Sequence, residues 1–582
     1  MARYSYQNFV DSKKFSWSNL IKAILFLFGR KKKAYILWLS FLIVLLFYDI
    51  VPPLLIGKTV DFFTNYTKGE PLTTFYWYAF LLGFLTAVVA FLRLSTKRGL
   101  ANLRNEITYD IRVNGFEKLL SQSLLEHGQE NTGSKEMKIQ NGISSFKGLS
   151  GILDNRLLPA LTSTVGIFAV FLLLKPAFIL VLVVYLIGLF LIINYFNGRL
   201  FDLSDERNRA MEGSSGSYVE GLSNIMAIKS NGAEQHFKQS IAEKEELRKK
   251  FDQQIIILTN NQWKVFQIVN SAYIGLFLLM VGRGVAAGTI TVGAIVIFFS
   301  YIQKLISGAT QLMDVYGDVI DIKATIGRMM LIFWADNSDD DGNKPFPEWD
   351  SLKITKASFA YKKDGRHAAA KANIRKLDLE IKKFQKVGLV GTTGSGKSTL
   401  AKLLIGLYRI DKGDYSIGGV DFYSIKREEI FKHCAIVLQE SEMFNVTLRE
   451  NIALHGDFDQ QLFDRAISIA QLGDVIAKLP NGVETTIGER GYHLSGGERQ
   501  RIGIARAIYK DPEIIIFDEA TSSLDMATEK KIQTALAKEL KQKTIIIVAH
   551  RVNTLEDVDV IYRLQNGEII ESGSYKEFFG KK

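Results

Sequence analysis

Six stretches of mostly apolar residues, all within the first 306 positions, constrain this chain more than anything else in it. They run at residues 34–56, 75–94, 157–174, 178–196, 265–281 and 292–306. Each approaches the ~20 residues that a helix needs to cross a hydrocarbon core of ~30 Å. No water is available there to satisfy backbone N–H and C=O groups, so such runs cross as helices that close their own hydrogen bonds. The fifth and sixth are less clean. Gln262, Lys264 and Gln267 flank or enter the fifth, and Gln303 and Lys304 interrupt the end of the sixth.

Charge sets the orientation, because lysine and arginine gather on the cytoplasmic side. Arg30 to Lys33 precede the first span, and the long second-to-third and fourth-to-fifth connections are rich in lysine and arginine. The other three connections are short and poor in charge, so both termini are expected in the cytoplasm. The formal charge of +11 fits these basic loops. It carries no basic stripe interleaved with aromatics, which speaks against nucleic acid. Residues 1–33 read as an N-terminal interfacial helix, with Trp17, Leu20, Ile21, Ile24, Leu25 and Phe28 at helical spacing and too few apolar residues to cross. The two long connections are free of proline and read as helical, with tips expected near 127–133 and 213–220.

At 582 residues the chain exceeds one ordinary core. A polar, acidic run, NSDDDGNK, ends the first region, and we place a transmembrane domain at 34–336, a linker at 337–348 and a second domain at 349–582. That domain carries Gly391, Thr392, Thr393, Gly394, Ser395, Gly396, Lys397 and Ser398, then Thr399, between an apolar run and an apolar-periodic stretch. A glycine-rich loop between strand and helix turns backbone N–H groups toward phosphate oxygens. Lys397 can reach the β- and γ-phosphates, and the Ser398 hydroxyl can sit on Mg2+. Downstream, EIIIFDE reads as a strand buried on both faces that ends in two acids. Asp518 suits the metal, and Glu519 the polarising of an attacking water. The lone Cys434 excludes an internal disulfide, and its apolar neighbours make it a buried, inert thiol.

Residues 494–498, LSGGE, stand ahead of that second strand and are similar to the LSGGQ signature of ATP-binding cassette (ABC) ATPases. In the same order, Gln439 matches that family's Q-loop, 523–525 its D-loop, His550 its switch histidine and Tyr361 its adenine-stacking aromatic. With six spans ahead of it, the chain resembles an ABC half-transporter of exporter type. The fold implied is an all-α six-span membrane domain followed by an α/β P-loop ATPase. The cofactors implied are ATP and Mg2+, with Ser398, Gln439 and Asp518 toward the metal.

The resemblance implies further that two cassettes pair head to tail. Ser495, Gly496, Gly497 and Glu498 of each would then close on the ATP of the other, with Asp525 at the seam. Glu519, His550 and Gln439 would carry hydrolysis. A homodimer is simplest, because the chain carries every catalytic part, although a second half-transporter could replace one copy. The activity implied is ATP-driven export or flipping of an amphipathic small molecule, lipid or peptide across a bacterial inner membrane. A siderophore-type importer is the nearest alternative, and an ATP-gated channel or regulatory ATPase a more distant one. Glu489 and Gly491, in TIGERG, match the exporter-type loop. Two departures stand out: Glu498 replaces the usual glutamine, and Phe384 and Gln385 stand where a glycine turn is common. Polar groups within spans, Asn194, Tyr195, Asn270, Tyr273 and Gln303, suit either a substrate path or interhelical hydrogen bonds.

Overall fold

The computed structural model describes residues 15–122, 132–335, 342–361, 373–454, 457–488, 492–549 and 552–580. They fall into two compact units, the first within 1–118 and 133–334, the second within 119–132 and 335–582.

The first unit is helical: α1 (Trp17–Phe28), α2 (Lys32–Leu46), α3 (Val51–Thr64), α4 (Thr73–Leu120), α5 (Thr132–Ile152), α6 (Leu158–Leu174), α7 (Ala177–Ser223), α8 (Glu234–Ala286) and α9 (Val292–Phe333). Among the described residues, six runs are long and apolar enough to cross a membrane. Leu173 is 83% exposed and Phe91 71%, a display that fits a lipid surround rather than water. The bundle's interior is aromatic, with Phe298 edge-on to Phe171 at 5.2 Å and to Phe178 at 5.1 Å.

The first apolar stretch, read as one span, is broken. A 3-10 turn at Phe47–Ile50 separates α2 from α3. Pro52 and Pro53 follow it, and neither has an N–H to return to the preceding turn. Pro53 in particular leaves the Asp49 carbonyl without its helical donor, and Lys304 Nζ from α9 takes it. Tyr301 Oη donates to Ile50 O at 2.7 Å. Arg93 Nη2 donates to Leu45 O at 3.0 Å and pairs with Asp49 Oδ1 at 3.0 Å. Intramembrane polar side chains thus satisfy the backbone that the prolines free. Gly57 and Gly293 bring α3 and α9 close, since a Cβ on Gly57 would meet the Gly293 carbonyl.

One expected tip is corrected. Residues 213–220 lie inside α7, which continues to Ser223. The reversal comes at Asn224, a short helix Ile225–Ser230, and Asn231 with Gly232 at φ 63°. The helix runs through Gly213 and Gly216, since an isolated helical glycine costs only ~1 kcal/mol. The other tip, 127–133, falls mostly outside the described residues. The 1–33 segment is helical where described, and α1 buries Leu20, Ala23 and Leu27. Its Phe26 lies 6.0 Å from Phe333.

The second unit holds two sheets. An antiparallel one has the order β2-β1-β4-β5, from β1 (Ser351–Phe359), β2 (Ile374–Lys382), β4 (Lys412–Ile417) and β5 (Val420–Asp421). The larger has the order β10-β9-β3-β8-β7-β6, from β3 (Lys386–Gly391), β6 (Cys434–Val437), β7 (Ile514–Asp518), β8 (Thr544–Val548), β9 (Val560–Gln565) and β10 (Glu568–Gly573). All its pairings are parallel except β10 with β9. All five residues of β7 are buried, as its isoleucine run requires of a central parallel strand. Cys434 in β6 is buried, and burial pushes its thiol up to about 12. At the N-terminal end of β7, Glu513 accepts from Trp349 Nε1 at 3.0 Å, contacts His433 Nδ1 at 2.7 Å and pairs with Lys383 at 3.2 Å. Phe384 adopts φ 64° in the turn before β3, a left-handed position where a glycine would sit without strain.

Candidate nucleotide-binding site

Ligands of parallel sheets gather beyond the carboxyl ends of the strands, and the predicted residues converge there. The P-loop leaves β3, Asp518 and Glu519 end β7, and β8 runs between the two. Leu389 and Asp518 both lie level with Val548 of that strand. This common level lets two segments 120 residues apart meet: Ser398 Oγ donates to Asp518 Oδ1 at 2.9 Å. His550 lies outside the described residues, as do Glu489 and Gly491.

The loop's shape depends on glycine at two positions. Gly391 has φ 152°, and a Cβ there would collide with the Leu564 carbonyl. Gly396 has φ 106° and precedes helix α10 (Lys397–Leu404), whose N-terminus faces the loop. Thr392, Thr393 and Gly394 are exposed at the loop's crest. Ser395 is 2% exposed, and its Oγ has no hydrogen-bond partner. Lys397 Nζ donates to the carbonyls of Gly391 at 2.9 Å and Thr392 at 3.1 Å. Burial lowers the Lys397 ammonium from the usual lysine value, against the pull of Glu519 and Asp518. Burial raises the Asp518 carboxyl, and Glu519 adds to the rise while the Ser398 hydrogen bond, Lys402 and Lys397 oppose it.

A buried carboxyl held toward its neutral form beside a serine hydroxyl gains from a cation, so Ser398 and Asp518 fit a divalent ion. No group of three His, Cys, Asp or Glu side chains suited to a metal occurs among the described residues. Mg2+ keeps waters and takes one or two protein oxygens alongside phosphates, a part the Ser398 and Asp518 oxygens suit. Glu519 has φ 52°, a left-handed conformation that non-glycine residues adopt at a cost, commonly at functional sites. Its N–H is held by Val548 O at 3.2 Å. Tyr361 Oη lies 3.4 Å from Thr399 Oγ1, and its ring meets Phe359 and Tyr408 edge-on.

The signature opens helix α11 (Gly496–Tyr509). Ser495 is its N-cap in a reciprocal capping box: Ser495 N donates to Glu498 Oε2 at 2.8 Å, and Glu498 N to Ser495 Oγ at 3.3 Å. Glutamate and glutamine serve this position equally, so the departure from glutamine has a local structural explanation. Asp525 caps helix α12 (Met526–Glu539), accepting from Thr528 N at 3.0 Å and Ala527 N at 3.1 Å. These amide bonds, that of Thr528 foremost, hold its carboxyl below the usual range.

Sequence reasoning passed over one residue. Gln500, 2% exposed on α11, donates to Gln439 O at 3.0 Å and to Ser522 Oγ at 3.1 Å, and accepts from Ser523 N at 2.9 Å. One amide thus ties the Q-loop and D-loop backbones to the signature helix. Its place in the helix, one turn past Gly496, was the available signal. Gln439, Gly496, Gln500 and Ser523 line a cleft of about 770 Å³ beside it.

Residues 374–522 match the family "ABC transporter" and residues 35–310 the "ABC transporter transmembrane region". A Bacillus subtilis (strain 168) protein named for multidrug export, the ATP-binding/permease protein YgaD, is 32% identical over 484 residues, 81% of each chain. An ATP-dependent lipid A-core flippase of Chromohalobacter salexigens is 30% identical over 399 residues, 68% of each chain. The solved structure of a bacterial Atm1-family ABC exporter with ATP bound superposes with a TM-score of 0.80 at 26% identity, covering 94% of this chain and 96% of its own. The chain belongs to the ABC transporters, as a half-transporter of exporter type that couples ATP hydrolysis to transport.

Proposed function

We propose that this chain forms a dimer in a bacterial inner membrane, with both termini in the cytoplasm, and exports or flips an amphipathic molecule. Residues 1–33 serve as an interfacial helix, 34–336 as the transmembrane domain, 337–348 as the linker and 349–582 as the nucleotide-binding domain. The observation that carries the reading is the Ser398–Asp518 contact over β8, with Lys397 and the glycine loop beside it. P-loop amides and Lys397 would cradle the phosphates of ATP, and Tyr361 would lie along the adenine. Magnesium held by Ser398, Asp518 and Gln439 would neutralise phosphate charge. Glu519 would orient the attacking water, and His550 would support the γ-phosphate.

A P-loop grips ATP from one side only. Ser495, Gly496, Gly497 and Glu498 of the second copy, with Asp525 at the seam, would close the other side. Contacts available only in that closed state shift the population toward it, and hydrolysis releases it. The names of the multidrug, flippase and exporter relatives support outward movement over import or gating. ATP-driven accumulation of an amphipathic dye in inside-out vesicles, absent with Glu519→Gln, tests the reading. Accumulation only in right-side-out vesicles would overturn it.

A further inference from the structure

A cavity of about 210 Å³ opens between α7, α8 and α9. Two carboxylates line it, Asp314 and Asp321, with the amides Asn197 and Gln262 and the aromatic rings of Phe201 and Trp263. No lysine or arginine lines it among the described residues.

Asp314, Asp318 and Asp321 follow one another at helical spacing on α9, yet they are not equivalent. Asp318 pairs with Arg156 at 3.3 Å, and Asp321 faces Arg207 at 3.6 Å. Asp314 has no ion pair among the described residues; Arg156, already paired with Asp318, acts on it at longer range, and three aspartates against two arginines leave a surplus negative charge at the cavity wall. A second observation comes from the facing helix. Asn197 is 7% exposed; its Oδ1 accepts from Gln262 Nε2 at 3.5 Å, but its Nδ2 has no hydrogen-bond partner. A buried donor left unpaired is costly, and a ligand acceptor would recover that cost.

The level of the cavity is also informative. Asn197, Gln262 and Asp314 lie roughly 30, 36 and 33 Å along their helices from the ends joined by short loops. That is about one hydrocarbon thickness, which puts the cavity where one leaflet meets water. In the orientation proposed above, this is the cytoplasmic leaflet. An amphipathic molecule there keeps its head at this depth and its tail in lipid. About 210 Å³ is small for a whole drug-sized ligand but suits a substituted ammonium and its first ring.

We infer that this cavity is the headgroup site of the transported molecule and that it selects an amphipathic organic cation. Asp314 supplies the counter-charge, Phe201 and Trp263 the aromatic surface that an alkylammonium prefers over water, and Asn197 a donor for a neighbouring hydroxyl or carbonyl. The inference rests on the exporter reading and narrows its substrate class.

The test uses the full chain in nanodiscs without nucleotide, with radiolabelled benzyldimethyldodecylammonium as probe. Competitors are the unlabelled cation, its neutral isostere with carbon in place of the quaternary nitrogen, and dodecyl sulfate; empty nanodiscs give the background. The cation is expected to bind saturably and to be displaced by itself, not by the other two. Asp314→Asn weakens it ~10-fold or more, the value of ~1.4 kcal/mol for a charge-assisted contact, while Asp314→Glu retains it. Equal displacement by the neutral isostere, or unaltered affinity in Asp314→Asn, overturns the inference. Wild-type ATPase activity above that of Glu519→Gln separates the two failures. If that activity is present while charge selectivity is missing, only this inference falls. If that activity is absent, the exporter reading falls and takes the inference with it.

Discussion

Replacing Gln500 by leucine should loosen three segments at once. The change preserves most of the buried volume and removes an amide that makes three hydrogen bonds of 2.9–3.1 Å to Gln439 O, Ser522 Oγ and Ser523 N. A net hydrogen bond contributes ~0.5–1.5 kcal/mol, and a buried partner left unpaired costs more. Gln439, Ser522 and Ser523 are themselves exposed, so water can re-satisfy them and the loss should lie near ~2 kcal/mol. Because ~1.4 kcal/mol is a factor of ten, amide exchange at Ser523 should accelerate ~10- to 30-fold. Hydrogen exchange on peptides covering 437–443 and 519–526 of the nucleotide-free protein reads this directly. Gln500→Glu keeps the acceptor for Ser523 N but cannot donate to Gln439 O, so protection should fall at 437–443 and hold at 519–526. Equal protection in wild type and Gln500→Leu at both peptides would refute the reasoning.

Asp518→Asn should stabilise the nucleotide-free protein at pH 7 while abolishing the rise in Tm given by Mg2+ and ATP. The sign follows from the raised carboxyl: a folded value above the unfolded one makes the charged form a cost that grows as pH rises through it, and a lower Tm for the variant would contradict this. Glu513 behaves oppositely. Burial raises its carboxyl, but hydrogen bonds from Trp349, His433 and Lys383 outweigh burial and leave it lowered. Its contribution should be present above about 4.5 and disappear as pH falls below that, so Glu513→Gln and wild type should converge in Tm in acid; a constant gap would count against it. In the membrane region, Lys304→Met leaves the Asp49 carbonyl unpaired next to the prolines and should cost ~1–3 kcal/mol, read as a lower thermal midpoint in nanodiscs, whereas an unchanged midpoint would show that the carbonyl finds another donor.

Motifs whose chemistry fixes residue type at short spacing were legible in the sequence. The P-loop glycines and the isoleucine run before Asp518 belong to this class, since each needs its residues whatever surrounds them. The same holds for the six apolar runs, where the solvent itself imposes the pattern. What escaped depends on partners distant in the chain. The first apolar stretch reads as one span despite Pro52 and Pro53, and the donors that stabilise its break, Lys304 and Tyr301, come from α9 some 250 residues away. Gln500 looked like one more polar residue after the signature, because nothing local reveals that Gln439 and Ser523 converge on it. The tip expected near 213–220 fails for the opposite reason: the long helix absorbs Gly213 and Gly216 and continues to Ser223. Asn270 and Tyr273, left between two readings, turn out buried, with Tyr185 Oη donating to Asn270 Oδ1 at 2.6 Å. Asn194, Tyr195 and Gln303 are exposed instead.

The central claim is that ATP is held at a seam between two copies, P-loop of one against signature of the other. Cysteines introduced separately at Thr393 and Ser495, both exposed, would be expressed in two differently tagged chains carrying Glu519→Gln. On oxidation, a covalent dimer joining the two tags should form with ATP and Mg2+ and diminish without nucleotide. A crosslink that forms only inside a chain carrying both cysteines, and never between tagged partners, would contradict the account.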